Sequence, residues 1–256
     1  MSEHLAIDQR YRGFADEDGS YRVALGGYVG GLLAGKLAGP AEVRLRGIVP
    51  MGRRLEVERP DANRVVLSEA GTVLAEARRT ELEIDAPAPI SVSEAEEASA
   101  SYPGFTGHLF PDCFTCGPAR EPGDGLGVFP GPVSDRELVA APWTPDGSLA
   151  GPNGSLFPEF VWAALDCPQL WALIASAPPD SGERVVTAGM SVRIESTPRA
   201  GGRYVIAAWP MHREGRSIFA GGAVFAESGE LLVAALQRAV VVPGTGVPLG
   251  LDNWAQ

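Results

Sequence analysis

The sequence lacks what would mark it for nucleic acid, a membrane or an oxidising compartment. It holds 21 Lys and Arg against 32 Asp and Glu, a formal net charge of −11, with no block of basic residues. A nucleic-acid groove needs clustered cations, so that class of partner is not expected. The acidity favours solubility and is awkward for a polyanionic ligand, which would need a local basic patch. No apolar run is long enough to cross a bilayer, and no membrane association is expected. The opening MSEHLAIDQRYRG has no basic segment followed by an apolar one. No secretory leader is therefore expected, and the expected location is cytoplasmic. Cysteines are three, Cys113, Cys116 and Cys167, an odd and low number that does not make a disulfide framework.

What is present is a plan used twice. The 256 residues, 45% of them hydrophobic, suffice for one large domain or two ordinary ones. In the first stretch, 20–24 reads as a strand and 26–39, GGYVGGLLAGKLAG, as a helix of small residues. Glycine weakens helices, but so many small residues suggest close packing against a sheet. Strand-like runs follow at 41–50, 53–60, 63–70 and 72–84. Residues 86–107, rich in Ala, Pro, Ser and Glu, read in part as a linker. The second stretch has a short strand at 136–143 and a helix at 158–177, with Pro168 expected to kink or end its first segment. Four more runs, 183–196, 202–211, 216–227 and 230–242, are joined by PRAGG, HREG and ESGE turns. One helix followed by consecutive antiparallel strands, twice over, is the α+β pattern.

Three local resemblances sharpen this. GGYVGGLLAGKL followed by a strand ending in IVPMG resembles the N-terminal half of the acyl-CoA thioesterase II family. HLFPDCFTCGP with GDGLGVFPG resembles the CF-x-CGP motif of small hotdog thioesterases of the phenylacetate-pathway type. Ala163 to Val242 resembles the C-terminal half of the thioesterase II family. Together they imply a double hotdog, two antiparallel sheets each wrapped around a central helix and joined edge to edge. The implied division is 1–85 for the N-terminal hotdog, 86–107 for the linker and 108–256 for the C-terminal hotdog.

The resemblance also implies a site. In the thioesterase II family an Asp, a Thr and a Gln of the second hotdog activate water. The matching positions are Asp166 in WAALDCP, Thr187 in RVVTAGM and Gln237 in VAALQRA. Thioester hydrolysis needs a water that is polarised and fixed near the carbonyl. A carboxylate can act as base while a hydroxyl and an amide hold the water. The residues alone leave a plainer alternative, in which Asp166 bonds nearby backbone and Gln237 marks the solvent face of a strand. Where small hotdog thioesterases carry His-Gly-Gly, this chain has Phe157, Pro158 and Glu159, so a polarising histidine is missing. The start of the first helix, with Gly27 and Tyr28, is the candidate for binding the thioester oxygen through backbone N–H groups. Gly27 could instead serve only helix packing.

His108-x4-Cys113-x2-Cys116, with Cys167 beside Asp166, has the residue types of a tetrahedral zinc site. A lone CxxC without a second knuckle is a weak signal, so the expectation is reduced, metal-free cysteines and no cofactor. Arg193, Arg199, Arg203, Arg213 and Arg216 are the available contacts for a coenzyme A phosphate. The resemblance thus implies an acyl-CoA thioesterase acting on an acyl-CoA or related thioester. The rival is a hotdog that binds an acyl or aromatic ligand without turnover. A dehydratase ranks third, because neither helix supplies a histidine. Pairing of two chains into a homodimer is compatible with the sequence without being established by it.

Overall fold

The computed structural model describes residues 3–15, 22–176 and 183–243. The first half runs β1 (Glu3–Leu5), β2 (Arg12–Ala15), β3 (Arg22–Ala24), α1 (Gly26–Ala34), β4 (Ala41–Leu45), β5 (Leu55–Asp61), β6 (Arg64–Glu69) and β7 (Thr72–Arg79). The second runs α2 (Val92–Ala100), β8 (Gly131–Pro132), β9 (Val139–Trp143), α3 (Pro158–Ser176), β10 (Glu183–Ile194), β11 (Tyr204–Glu214), β12 (Ser217–Ala226) and β13 (Leu231–Pro243).

The two sheets expected to join edge to edge form one sheet rather than two separately wrapped ones. Among the described residues, eleven strands form a continuous antiparallel sheet in the order β1-β5-β6-β7-β4-β10-β13-β12-β11-β9-β8, with β2 and β3 as a separate pair. The seam between the halves is β4 against β10, with Ala41 to Arg44 paired to Val192 to Gly189. An open edge exposes a row of unpaired N–H and C=O groups. Here each half supplies the strand that covers the other's edge.

α1 packs on β4, β6, β7 and β10, and α3 packs on β9 to β13. The two helices also pack tightly on each other, because α1 presents glycine where they meet. A Cβ built on Gly31 would stand 2.2 Å from the Cα of Glu159, and one on Gly27 would stand 2.7 Å from the Cβ of Asp166. The helix is tolerable despite its glycines because its buried residues include Tyr28, Val29 and Leu33, whose packing offsets the weak propensity.

α3 runs unbroken through Pro168, against the expected kink. Every residue from Phe160 to Gln169 is buried. That packing outweighs the roughly 3 kcal/mol cost of an interior proline. The stretch 86–107 is also more than a tether. It contains α2, started by a reciprocal capping box between Ser91 and Glu94. α2 covers the sheet face opposite α3. Along β11, Val205 and Ala207 join the cluster containing Val92, Ala95 and Ala98, while Ile206 joins the cluster containing Val161 and Leu165. That alternation is the period of two of a strand buried on both faces.

Smaller differences are at element ends. α1 stops at Ala34 rather than residue 39, and β4 and β7 stop at Leu45 and Arg79. β11 continues through His212 and Arg213, so the turn to β12 closes at Gly215, where φ is +59°. No helix among the described residues is long and apolar enough to cross a membrane.

Candidate active site

Asp166 lies midway along α3, on a stretch buried all round, and is 2% exposed. A carboxylate there must be hydrogen-bonded or neutral. It meets three donors from three other elements. The Gly27 N–H, in the first turn of α1, donates to Oδ2 at 2.7 Å. The Thr187 hydroxyl on β10 donates to Oδ1 at 2.7 Å. The Gln237 Nε2 on β13 donates to Oδ1 at 2.7 Å and to the Asp166 main-chain oxygen at 3.0 Å. Gln237 Nε2 also lies 3.2 Å from Thr187 Oγ1.

Local structure explains each approach. Gln237 has the strand parity of Ala235 and Val233, so it points into the core rather than to solvent. Thr187 stands at a bulge, where the β10–β13 register slips between Thr187 and Gly189. Bulges re-aim side chains, and this one turns the hydroxyl onto Asp166. α1 has no side-chain cap at Leu25, and Asp166 supplies the missing anion from another helix. A helix N-terminus carries partial positive charge, so this contact favours the ionised form.

Burial nevertheless wins. It pushes the Asp166 carboxyl up from 3.8 to about 6, against the bonds from Thr187, Gly27 and Gln237, which pull it down. The sign of the linkage follows. Between the unfolded value of 3.8 and the folded value of about 6 the native state holds a proton the unfolded chain has lost. The contribution of this group to stability is therefore full below that window and is lost as pH rises through it.

The structure thus brings Asp166, Thr187 and Gln237 together. It corrects the expectation for Gly27, whose N–H is engaged by Asp166 rather than open to a thioester oxygen. Tyr28 is buried and stacked on Tyr11, with ring centroids 4.1 Å apart. Phe114 and Phe160 join that aromatic cluster. Glu159, at the start of α3, is half-buried against Gly31, and burial raises its carboxyl pKa. Four of the arginines named above are engaged by this chain's own groups. Arg199 bonds the Asn153 carbonyl, Arg203 pairs with Glu227, Arg213 bonds the Gly215 carbonyl and Arg193 pairs with Glu195.

Sequence reading missed the buried hydroxyl of Thr115, which donates to the Ala163 carbonyl at 2.7 Å and ties the CFTCG loop to α3. Its place between two cysteines in a loop was the only signal.

Comparison with solved structures places the fold. The tesB protein of Mycobacterium avium subsp. paratuberculosis is 14% identical, over 91% of each chain, at a TM-score of 0.58. An acyl-CoA thioesterase II of Mycobacterium marinum is 14% identical, over 89% of this chain and 93% of that one, at a TM-score of 0.55. This chain has the double-hotdog fold of TesB-like thioesterases. No protein-family model matches it, and no curated protein does. The likeness extends over nearly the full length of both neighbours. In this double hotdog the Asp166 cluster lies beside the seam between β4 and β10, with one donor from the first half and two from the second.

Proposed function

We propose that the chain is an acyl-CoA thioesterase in which Asp166, Thr187 and Gln237 hold and activate the attacking water. The observation that carries this reading is the meeting of a carboxylate, a hydroxyl and an amide at one point, with Gln237 Oε1 buried and unpartnered beside them. Thr187 gives its proton to Asp166 and keeps an oxygen lone pair able to accept from water. Gln237 Oε1 offers a second acceptor. Water held by both adds to the thioester carbonyl carbon as its proton passes to Thr187 Oγ1 and the Thr187 proton passes on to Asp166. The tetrahedral intermediate then collapses, the C–S bond breaks, and the departing thiolate takes the proton back. A carboxyl near 6 suits both transfers at neutral pH. With Gly27 committed to Asp166, the Tyr28 amide in the same helix turn is assigned to the developing oxyanion. The partition into hotdogs at 1–85 and 108–256 belongs to the same proposal, α2 going with the second.

The closed character of the cluster favours a second reading, a hotdog that binds an acyl or aromatic ligand without turnover. Asp166 is 2% exposed and Gln237 0%. A panel of acyl-CoAs of varied chain length and aromatic acyl groups, scored by thiol release, separates the two. Turnover of at least one supports the thioesterase. Tight binding without thiol release of any supports the rival.

Catalysis should also carry the titration of Asp166. kcat/KM is expected to be flat near neutrality and to fall about tenfold per pH unit below about 6. A profile unchanged down to pH ~5, with the protein folded throughout, would remove Asp166 as the base.

A further inference from the structure

The three cysteines, which the proposed hydrolysis does not use, come together. Cys113 and Cys116 sit in the loop before β8, and Cys167 sits on α3 immediately after Asp166. All three are buried and none forms a disulfide. Their sulfurs lie within 4.8 Å of one another, and those of Cys113 and Cys167 are 3.4 Å apart. The Nε2 of His108 is 3.3 Å from the sulfur of Cys116. Tetrahedral zinc, with Zn–S about 2.3 Å and Zn–N about 2.0 Å, needs S–S edges near 3.8 Å and S–N edges near 3.5 Å. The three sulfurs are near enough for those edges to close on one ion, while His108 Nε2 approaches through Cys116 alone.

The loop is a tight turn around this cluster. The Gly117 N–H donates to the Cys113 carbonyl at 2.9 Å. The turn needs Gly117, where a Cβ would lie 2.4 Å from the Pro111 carbonyl oxygen and 2.5 Å from the Cys113 nitrogen. Arg120 is on the same loop, its side chain 3% exposed. Its guanidinium pairs with Asp124 at 2.7 Å and bonds the Asp112 and Arg10 carbonyls, which fixes the loop beside the cysteines.

We infer that Cys113, Cys116 and Cys167 bind a structural zinc ion, with His108, beside Cys116, turning in as the fourth ligand and the ion pinning the 108–117 loop to α3 at the residue next to Asp166. Binding releases one proton from each of the three thiols and involves no change of oxidation state. Coordination through His108 Nε2 needs the ring proton on Nδ1. The Phe110 N–H, now 2.9 Å from Nδ1, must therefore turn away when the ion is held. The site closes the loop to the helix across a long sequence separation, which is where a metal clip constrains the unfolded chain most.

The test uses the full chain, purified without chelator from zinc-supplemented cells. Elemental analysis is expected to find roughly one zinc per chain, removed by a strong chelator together with a clear fall in melting temperature. Cys113→Ser and His108→Ala should each lower zinc content roughly tenfold or more under competition with a chromogenic chelator. Should those variants fail to fold, metal-free wild-type protein titrated with Co(II) gives the same answer. Thiolate-to-cobalt charge transfer and tetrahedral ligand-field bands should saturate at one equivalent. Negligible zinc together with no such bands, or a Cys113–Cys167 disulfide in the native protein, would overturn the inference. Neither outcome bears on whether Asp166 drives hydrolysis.

Discussion

Asp166→Asn is expected to lower kcat/KM by about two to four orders of magnitude, the range for a positioned acid–base group. KM should change far less, because the carboxylate acts mainly in the transition state. The geometry also sets the expected effect on stability. Gly27, Thr187 and Gln237 all donate to this side chain. Asn has one acceptor oxygen, so its amide nitrogen must face one of these donors. An unsatisfied buried donor costs about 1–3 kcal/mol. Against that, the substitution removes a buried charge that burial already disfavours. The two oppose each other, so the melting temperature should shift little while turnover collapses. The pH-dependence of stability in the window between 3.8 and about 6 should flatten as well. Thr187→Ala and Gln237→Leu should give smaller and non-additive losses, because all three groups would hold one water. Turnover and melting temperature measured on the same preparation decide the matter. A folded, fully active Asp166→Asn protein would end the catalytic assignment and leave the fold untouched.

Gly31→Ala is expected to damage the protein more than any single substitution in the Asp166 cluster. The new methyl would fall 2.2 Å from the Cα of Glu159, 2.7 Å from its nitrogen and 2.8 Å from the Pro158 carbonyl oxygen. All three are backbone atoms, so no rotamer change relieves the contact and α1 must move away from α3. Overpacking a core costs about 1–3 kcal/mol when side chains can adjust, and this contact should exceed that range. The helix-propensity gain of Ala over Gly, about 1 kcal/mol, does not offset it. Loss of soluble protein, or a melting temperature lower by about 10 °C or more, is expected by thermal unfolding. Gly35→Ala is the control. Gly35 has φ −60°, and its Cβ would meet the Gly31 carbonyl oxygen only at 3.2 Å. That substitution should be close to neutral. If both variants melt like the parent, the glycine contact is not what brings α1 against α3.

How far the site could be read from the sequence differs residue by residue. Asp166, Thr187 and Gln237 were picked out through resemblance, since spacing alone left Gln237 as a surface strand residue. Its direction is settled by strand parity, which a run as uniformly apolar as LLVAALQRAVVV does not reveal. Gly27 was legible as a glycine needed for close approach, but the partner of its N–H was not, because that partner is 139 residues away. His108, Cys113, Cys116 and Cys167 are legible as zinc-type residues, but a lone CxxC is a weak signal. That Cys167, 54 residues from Cys113, reaches the pair is decided by the fold. α2 had a readable signal in Ser91 and Glu94, masked by the Pro and Ser around it.

By itself the sequence determined the local periods. Small residues on α1, apolar spacing on α3 and the strand runs of each half follow from side-chain size and burial, which act over a few residues. It also set expectations about partners, since an acidic chain without basic clusters offers no ready groove for a polyanion. Only the tertiary structure decided that Pro168 stays helical, that the seam of the joined sheet is β4 against β10, and that Asp166 takes its donors from α1, β10 and β13. Each of these depends on contacts between segments far apart in the chain. Their energies arise from packing density and from satisfying buried polar groups, and neither exists until the segments meet.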